Sequence, residues 1–177
     1  MAARKATKKK STRPSAPRVR ARPALPRAPR PEIPPTIGWT EYVSFPAWGI
    51  HAIKAKVDTG AGISALHVDS IRELGNGTVR FEVVMHRTQR HLRVTAEAAV
   101  LRRSRIKSSN GAWTERYVVT ANMKLGPIER RIEVSLVSRP EMVYRMLLGR
   151  GALSGLLIDA GSQCLLGVPR RTPAKDA

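Results

Sequence analysis

The chain has 177 residues, with 32 Lys and Arg against 13 Asp and Glu, a formal net charge of +19 at pH 7. Its length suits one domain with a core of its own, and its single cysteine excludes an internal disulfide and fits the reducing cytoplasm. No apolar run is long enough for a membrane-spanning helix, so no membrane partner is expected.

Residues 1–35 carry eleven of the basic residues and one acid, Glu32, among prolines, alanines and serines. A segment of this kind cannot bury enough apolar surface to offset its ordering entropy. It is expected to be a disordered, partly polyproline-extended basic tail. No apolar run follows the early charges, as a signal peptide requires, and the prolines oppose a transit-peptide helix. Such a tail attracts polyanions by counterion release, which makes ribosome or RNA contact its expected partnership; a solvated tail without a partner is the bland alternative.

Residues 36–177 read as a single, predominantly β domain. Ile53, Ala55 and Val57 alternate with polar neighbours and predict a strand that ends at Asp58-Thr59-Gly60-Ala61. Gly62-Ile63-Ser64-Ala65-Leu66 then turns into another strand. Alternation returns at 79–84, 117–121 and 131–137, with turns at Asn76-Gly77 and Leu125-Gly126-Pro127. Ser108-Ser109-Asn110-Gly111 suits a hairpin tip, because Asn-Gly accepts the positive φ of a tight turn. Met146-Leu147-Leu148 forms a late apolar strand ending at Gly149-Arg150. Short helices are conceivable at 70–74 and from Ser154.

The chemistry of this pattern centres on Asp58. An aspartate carried by an apolar strand into a Thr-Gly turn is how an aspartic protease presents its catalytic carboxylate. Glycine permits the sharp turn, and the threonine hydroxyl can hydrogen-bond across it. Peptide hydrolysis of this type needs two carboxylates sharing one proton, one acting on water and the other on the scissile carbonyl. The chain holds one Asp-Thr-Gly. A symmetric homodimer supplies the second Asp58 from the same sequence. Asp58, Thr59 and Gly60 are therefore the candidate catalytic set, the bland reading being a surface turn. Asp159, before Ala160-Gly161-Ser162, reads as a turn residue rather than a second catalytic carboxylate.

In the order of these motifs the sequence resembles the retropepsins. It is more similar still to the bacterial retropepsin-like family labelled ATP-dependent zinc proteases, which includes the RimB-like protease associated with the RimK glutamate ligase. The resemblance rests on Ile37-Gly38-Trp39, Ile53 through His67, Ser108 through Gly111, Arg145 through Arg150 and Leu157-Ile158-Asp159. It implies a single-lobed, closed retropepsin-like β-barrel, a flap at Ser108, Ser109, Asn110 and Gly111, and substrate contacts from the flap, Ala61 and Arg150. It also implies a polyglutamylated ribosomal protein as substrate. The chain departs from the family pattern at Gly62 and Ile63, which bears on the hydrogen bonding around the loop.

No metal or cofactor is expected: there is no His-Glu-x-x-His, the four histidines and Cys164 show no ligand spacing, and no phosphate-cradling Gly-rich loop occurs. His67 reads as a satisfied structural histidine and Cys164 as a buried strand thiol. Arg87, Arg90, Arg93, Arg102, Arg103, Arg105 and Lys107 crowd the sequence before the flap and read as a basic rim for an acidic substrate, against the alternative of a solvated charged hairpin. Arg150 is suited to a bidentate carboxylate contact near a dimer interface. The leading reading is a dimeric cytoplasmic aspartic peptidase. Its rivals are a non-catalytic binding module of the same fold and a nucleic-acid-binding protein acting through its tail.

Overall fold

The computed structural model describes residues 33–89, 91–107 and 113–168. The expected basic tail, up to residue 32, and the flap residues Ser108, Ser109, Asn110 and Gly111 lie outside the described residues. The domain is mostly strand. In chain order it runs β1 (Thr36–Phe45), a 3-10 turn (Pro46–Trp48), β2 (Ile50–Val57), β3 (Ser64–Glu73), β4 (Thr78–Val84), β5 (Arg93–Lys107), β6 (Trp113–Leu125), β7 (Ile128–Val137), β8 (Met146–Leu148), the one-turn helix α1 (Arg150–Leu153) and β9 (Leu157–Gln163). Among the described residues no helix is long and apolar enough to cross a membrane.

Among the described residues nine strands hydrogen-bond in the order β4-β5-β6-β7-β3-β8-β2-β1-β9, with further pairings of β4 to β3 and of β6 to β1. The β1–β6 pairing is one bridge, Ser44 to Lys124. Long strands serve two partners in succession. β3 pairs with β7 and β8 through Ser64–His67 and from Val68 onward with β4, with a bulge between Val68 and Ser70. β5 passes from β4 to β6 between Ala99 and Val100, and a bulge between Val100 and Arg102 follows at the start of the β6 ladder. Bulges bend a strand and raise its twist, which lets one chain segment turn between neighbours.

The core forms where these inner faces meet. Phe45 stacks on Trp48 at 4.9 Å, Trp48 meets Phe81 edge-on at 5.2 Å, and Ile53, Leu66, Val68, Val119 and Leu136 are buried around them. The alternations at 79–84, 117–121 and 131–137 fall within β4, β6 and β7. Residues 70–73 continue β3 instead of forming a helix, because their backbone is taken up by the β4 ladder. The late helix ends at Leu153 instead of starting at Ser154.

β9 is an edge strand on β1, and its residues are nearly all exposed. Cys164 follows it half-exposed, with φ of 53°, so it is neither buried nor within a strand. The apolar residues beside it in sequence misled here: Leu165 and Ile158 themselves reach solvent. Asp159 lies inside β9. Its carboxylate accepts from Gly161 N–H at 2.8 Å and from the Ser162 hydroxyl at 2.6 Å, and these bonds hold it below the usual carboxylate range.

A buried carboxyl group fastens this edge. Glu41 in β1 is fully buried, and its Oε1 accepts from Gly38 N–H at 2.7 Å and from Leu165 N–H at 2.9 Å. Gly38 admits β9: a Cβ there would lie 2.5 Å from the Ser162 carbonyl. Glu41→Ala orphans both amides and is expected to lower the unfolding free energy by about 3 kcal/mol, whereas Glu41→Gln keeps Oε1 and loses about 1 kcal/mol. Urea unfolding measures both, and hydrogen exchange at Leu165 should quicken in the alanine variant alone.

Candidate active site

β2 ends by delivering Asp58 into the loop that joins it to β3. The short strand β8 fills the gap between these two strands, running parallel to β2 (Val57 opposite Leu148) and antiparallel to β3 (Ala65 opposite Leu147). Asp58 N–H donates to the Leu148 carbonyl at 2.9 Å, which carries the ladder one residue past the strand. The Asp58 carboxylate then accepts from Gly60 N–H at 3.1 Å and Ala61 N–H at 3.3 Å, so the turn is closed by the acid itself. Asp58 is half-buried, while Thr59 and Gly60 are exposed.

The segment after β8 locks the other side of the loop. Gly149 N–H donates to Ser64 Oγ at 3.2 Å, Arg150 N–H to the Ala61 carbonyl at 2.9 Å, and Gly151 N–H to the Gly62 carbonyl at 3.1 Å. The Arg150 guanidinium donates to the Thr59 and Gly60 carbonyls at 2.8 and 2.9 Å. It therefore grips the main-chain carbonyls of the Asp58 loop. Sequence reasoning missed Ser64, although a serine opening an otherwise apolar strand was the available signal.

Gly62 and Ile63, where a departure from the family pattern was expected to bear on the loop's hydrogen bonding, leave this bonding intact because the loop contributes backbone carbonyls that any residue supplies. A side chain at Gly62 would meet Arg150 only at 3.9 Å. Among the described residues no three His, Cys, Asp or Glu gather as metal ligands.

His67 is buried in β3. Its Nδ1 accepts from Arg139 N–H at 3.1 Å and its Nε2 faces Asp69 at 3.4 Å, the satisfied structural role expected. Burial, and secondarily the Arg145 cation, push it below the ordinary histidine value of 6.5.

The basic rim is dispersed by the fold. β5 carries Arg93 and Lys107 at opposite ends, about 45 Å apart along a strand of this length. Arg93 pairs with Asp69 and Glu82, Arg102 with Glu133, and Arg103 with Glu73. The Arg102 contact holds the Glu133 carboxyl below its usual range. Arg90 and the side chains of Arg105 and Lys107 lie outside the description. These arginines of β5 are thus tied to carboxylates on β3, β4 and β7.

Residues 36–164 match the family described as RimB-like, "Retropepsin-like aspartic endopeptidase RimB". A "Probable alpha-L-glutamate ligase" of Shewanella halifaxensis is 41% identical over 135 residues, and one of Parasynechococcus marenigrum is 36% identical over the same length. Each match covers 74% of this chain, which spans only about 30% of those relatives' length. A Legionella pneumophila protein of unknown function superposes with a TM-score of 0.62 at 26% identity, covering 75% of this chain and 98% of that one.

A Cβ at position 149 would sit 2.5 Å from both the carbon and oxygen of the Ile63 carbonyl. Gly149→Ala must displace backbone and is expected to cost about 1–3 kcal/mol or more in urea unfolding. Because the native pKa of His67 is lowered, the unfolded chain takes up its proton first on acidification. Stability should fall from about pH 6.5 down to the lowered native value, and His67→Gln should flatten that slope in pH-dependent melts.

Proposed function

The chain belongs to the RimB-like family of retropepsin-like aspartic endopeptidases, and on that footing we propose that it is an aspartic peptidase working as a homodimer through two Asp58 carboxylates. The observation that carries this reading is the Asp58 loop: its carboxylate is oriented by the Gly60 and Ala61 amides and sits beside exposed Thr59 and Gly60. A second copy facing this loop completes a proton-sharing pair. The ionised Asp58 takes a proton from water as the oxygen attacks the scissile carbonyl. The protonated Asp58 donates to the carbonyl oxygen, and the tetrahedral intermediate collapses as its nitrogen gains a proton and leaves as the amine. The same reading takes the β1–β6 bridge as the seam of a closed barrel.

The proposed substrate is an acidic or polyglutamylated protein. The ligase-named relatives support this, because this chain matches less than a third of their length and their name concerns glutamate addition. They equally favour a second reading, a non-catalytic module that docks beside such a ligase. The proposed setting is cytoplasmic, with the basic segment 1–35 adding contact to the ribosome or RNA.

Asp58→Asn decides between peptidase and module. It should leave the circular dichroism and elution volume unchanged while reducing hydrolysis of an oligoglutamate-tailed peptide by roughly 10³-fold or more. Specific activity should also rise with subunit concentration and survive a strong chelator. Equal hydrolysis by the wild-type and Asp58→Asn proteins would reject the aspartic mechanism.

A further inference from the structure

The outer face of β1 and β2 carries a groove of about 520 Å³ that does not include the Asp58 loop. Its polar wall is made by Lys54, His86, Arg87 and Arg145, and no Asp or Glu is among its described lining residues. Lys54 meets only a neutral partner, the Gln163 carbonyl at 3.3 Å, so its charge is not neutralised by that contact. His86 turns Nδ1 inward to the Thr88 and Gln89 amides, which leaves Nε2 as the other polar edge of the ring. Asp69 on β3 and Glu82 on β4 are already engaged by Arg93, and Glu73 on β3 by Arg103.

The apolar wall is Met85, Leu92 and Val143, and the last two are 40% and 62% exposed. Lys54 and Arg87, in a lining that includes no described carboxylate, stand against exposed aliphatic surface and match a ligand that is both acidic and apolar. A nucleic acid is matched less well, since these aliphatic side chains offer no flat stacking platform and the Tyr144 ring is already edge-on to Trp39 at 5.9 Å.

The groove also has a direction. Tyr42 stands opposite Lys54 across the β1–β2 ladder. Ile53 and Ala55 point into the core, so the alternating positions Ala52, Lys54 and Lys56 lie on the outer face of β2, with Lys56 exposed. Lys54 precedes Asp58 by four residues, about 13 Å of extended chain. We propose that this groove is an exosite for an acidic peptide segment, which inserts one apolar side chain beside Met85, Leu92 and Val143 while its carboxylates meet Lys54 and Arg87. This deepens the peptidase reading and rests on it for the placement: the segment held is about four residues from the bond presented to Asp58.

The test uses the full chain carrying Asp58→Asn, so that binding is read without cleavage. The probe is a fluorescein-labelled Glu-Glu-Glu-Leu-Glu-Glu peptide followed by fluorescence anisotropy at 150 mM salt. Adding Lys54→Glu and Arg87→Glu together should weaken binding about tenfold or more with an unchanged dichroism spectrum, and unchanged affinity overturns the proposal. Replacing the leucine of the probe by glutamate should weaken binding several-fold; equal affinity reduces the effect to general attraction and also overturns it. With benzophenylalanine at the leucine position, cross-links should map to Met85, Leu92 or Val143. Cross-links confined to residues 1–35 assign the binding to the tail and refute the exosite. An oligouridylate that binds this groove more tightly than the peptide, and loses affinity with the same two substitutions, makes it a nucleic-acid site instead. Failure of the peptidase reading shows separately, as a wild-type chain that binds the probe here and hydrolyses nothing.

Discussion

The close approach of Gly149 to the Ile63 backbone is the constraint on which the rest of the site depends. It brings the end of β8 against the start of β3, so that β8 can pair with both strands flanking the Asp58 loop. From that contact follow the Ser64 hydroxyl on Gly149 N–H, the Arg150 and Gly151 amides on the loop carbonyls, and the Arg150 guanidinium over Thr59 and Gly60. A turn of four or five residues has little stability of its own. Here its carbonyls are fixed by donors more than eighty positions away in sequence, which holds the Asp58 carboxyl group in one geometry.

The strand ending at Asp58, the β8 strand with Gly149 and Arg150, and the turns at Asn76-Gly77 and Gly126 were legible because each is a local pattern. Alternation marks a half-buried strand, and a glycine after an apolar run marks a close approach or a turn. What stayed hidden depended on distant pairing. Residues 70–73 lack a clear strand signature and become strand only because β4 lies beside them. Cys164 sits among apolar residues in sequence, yet β9 is at an edge and its neighbours reach solvent. Glu41 gave no signal, since an isolated acid in a strand looks like surface until Leu165 N–H arrives from the far end of the domain.

Charge shows the same division between sequence and space. The arginines of β5 form one cluster on paper, but a strand places successive side chains on opposite faces and separates its ends by tens of ångströms. Arg93, Arg102 and Arg103 each find a carboxylate on another strand, Asp69 and Glu73 on β3 and Glu133 on β7. Such exposed pairs contribute little stability individually. Their larger effect is on the electrostatic map, because they remove net charge from β5 and leave the contrast to regions without carboxylates.

The loop's bonding also explains why the arrangement around Asp58 does not depend on the side chains at Gly62 and Ile63. The donors are the amides of residues 149–151 and one guanidinium; the acceptors are main-chain carbonyls and one serine hydroxyl. Only Gly149, Arg150 and Ser64 are called on by residue type, Gly149 for its missing Cβ, Arg150 for its reach to two carbonyls and Ser64 for its hydroxyl. Substitution at 62 or 63 changes what the loop presents to a ligand while leaving the acid's own supports in place. The positions that hold Asp58 and the positions free to vary its surroundings are therefore different residues, which lets one scaffold keep its carboxylate geometry while the adjacent surface diverges.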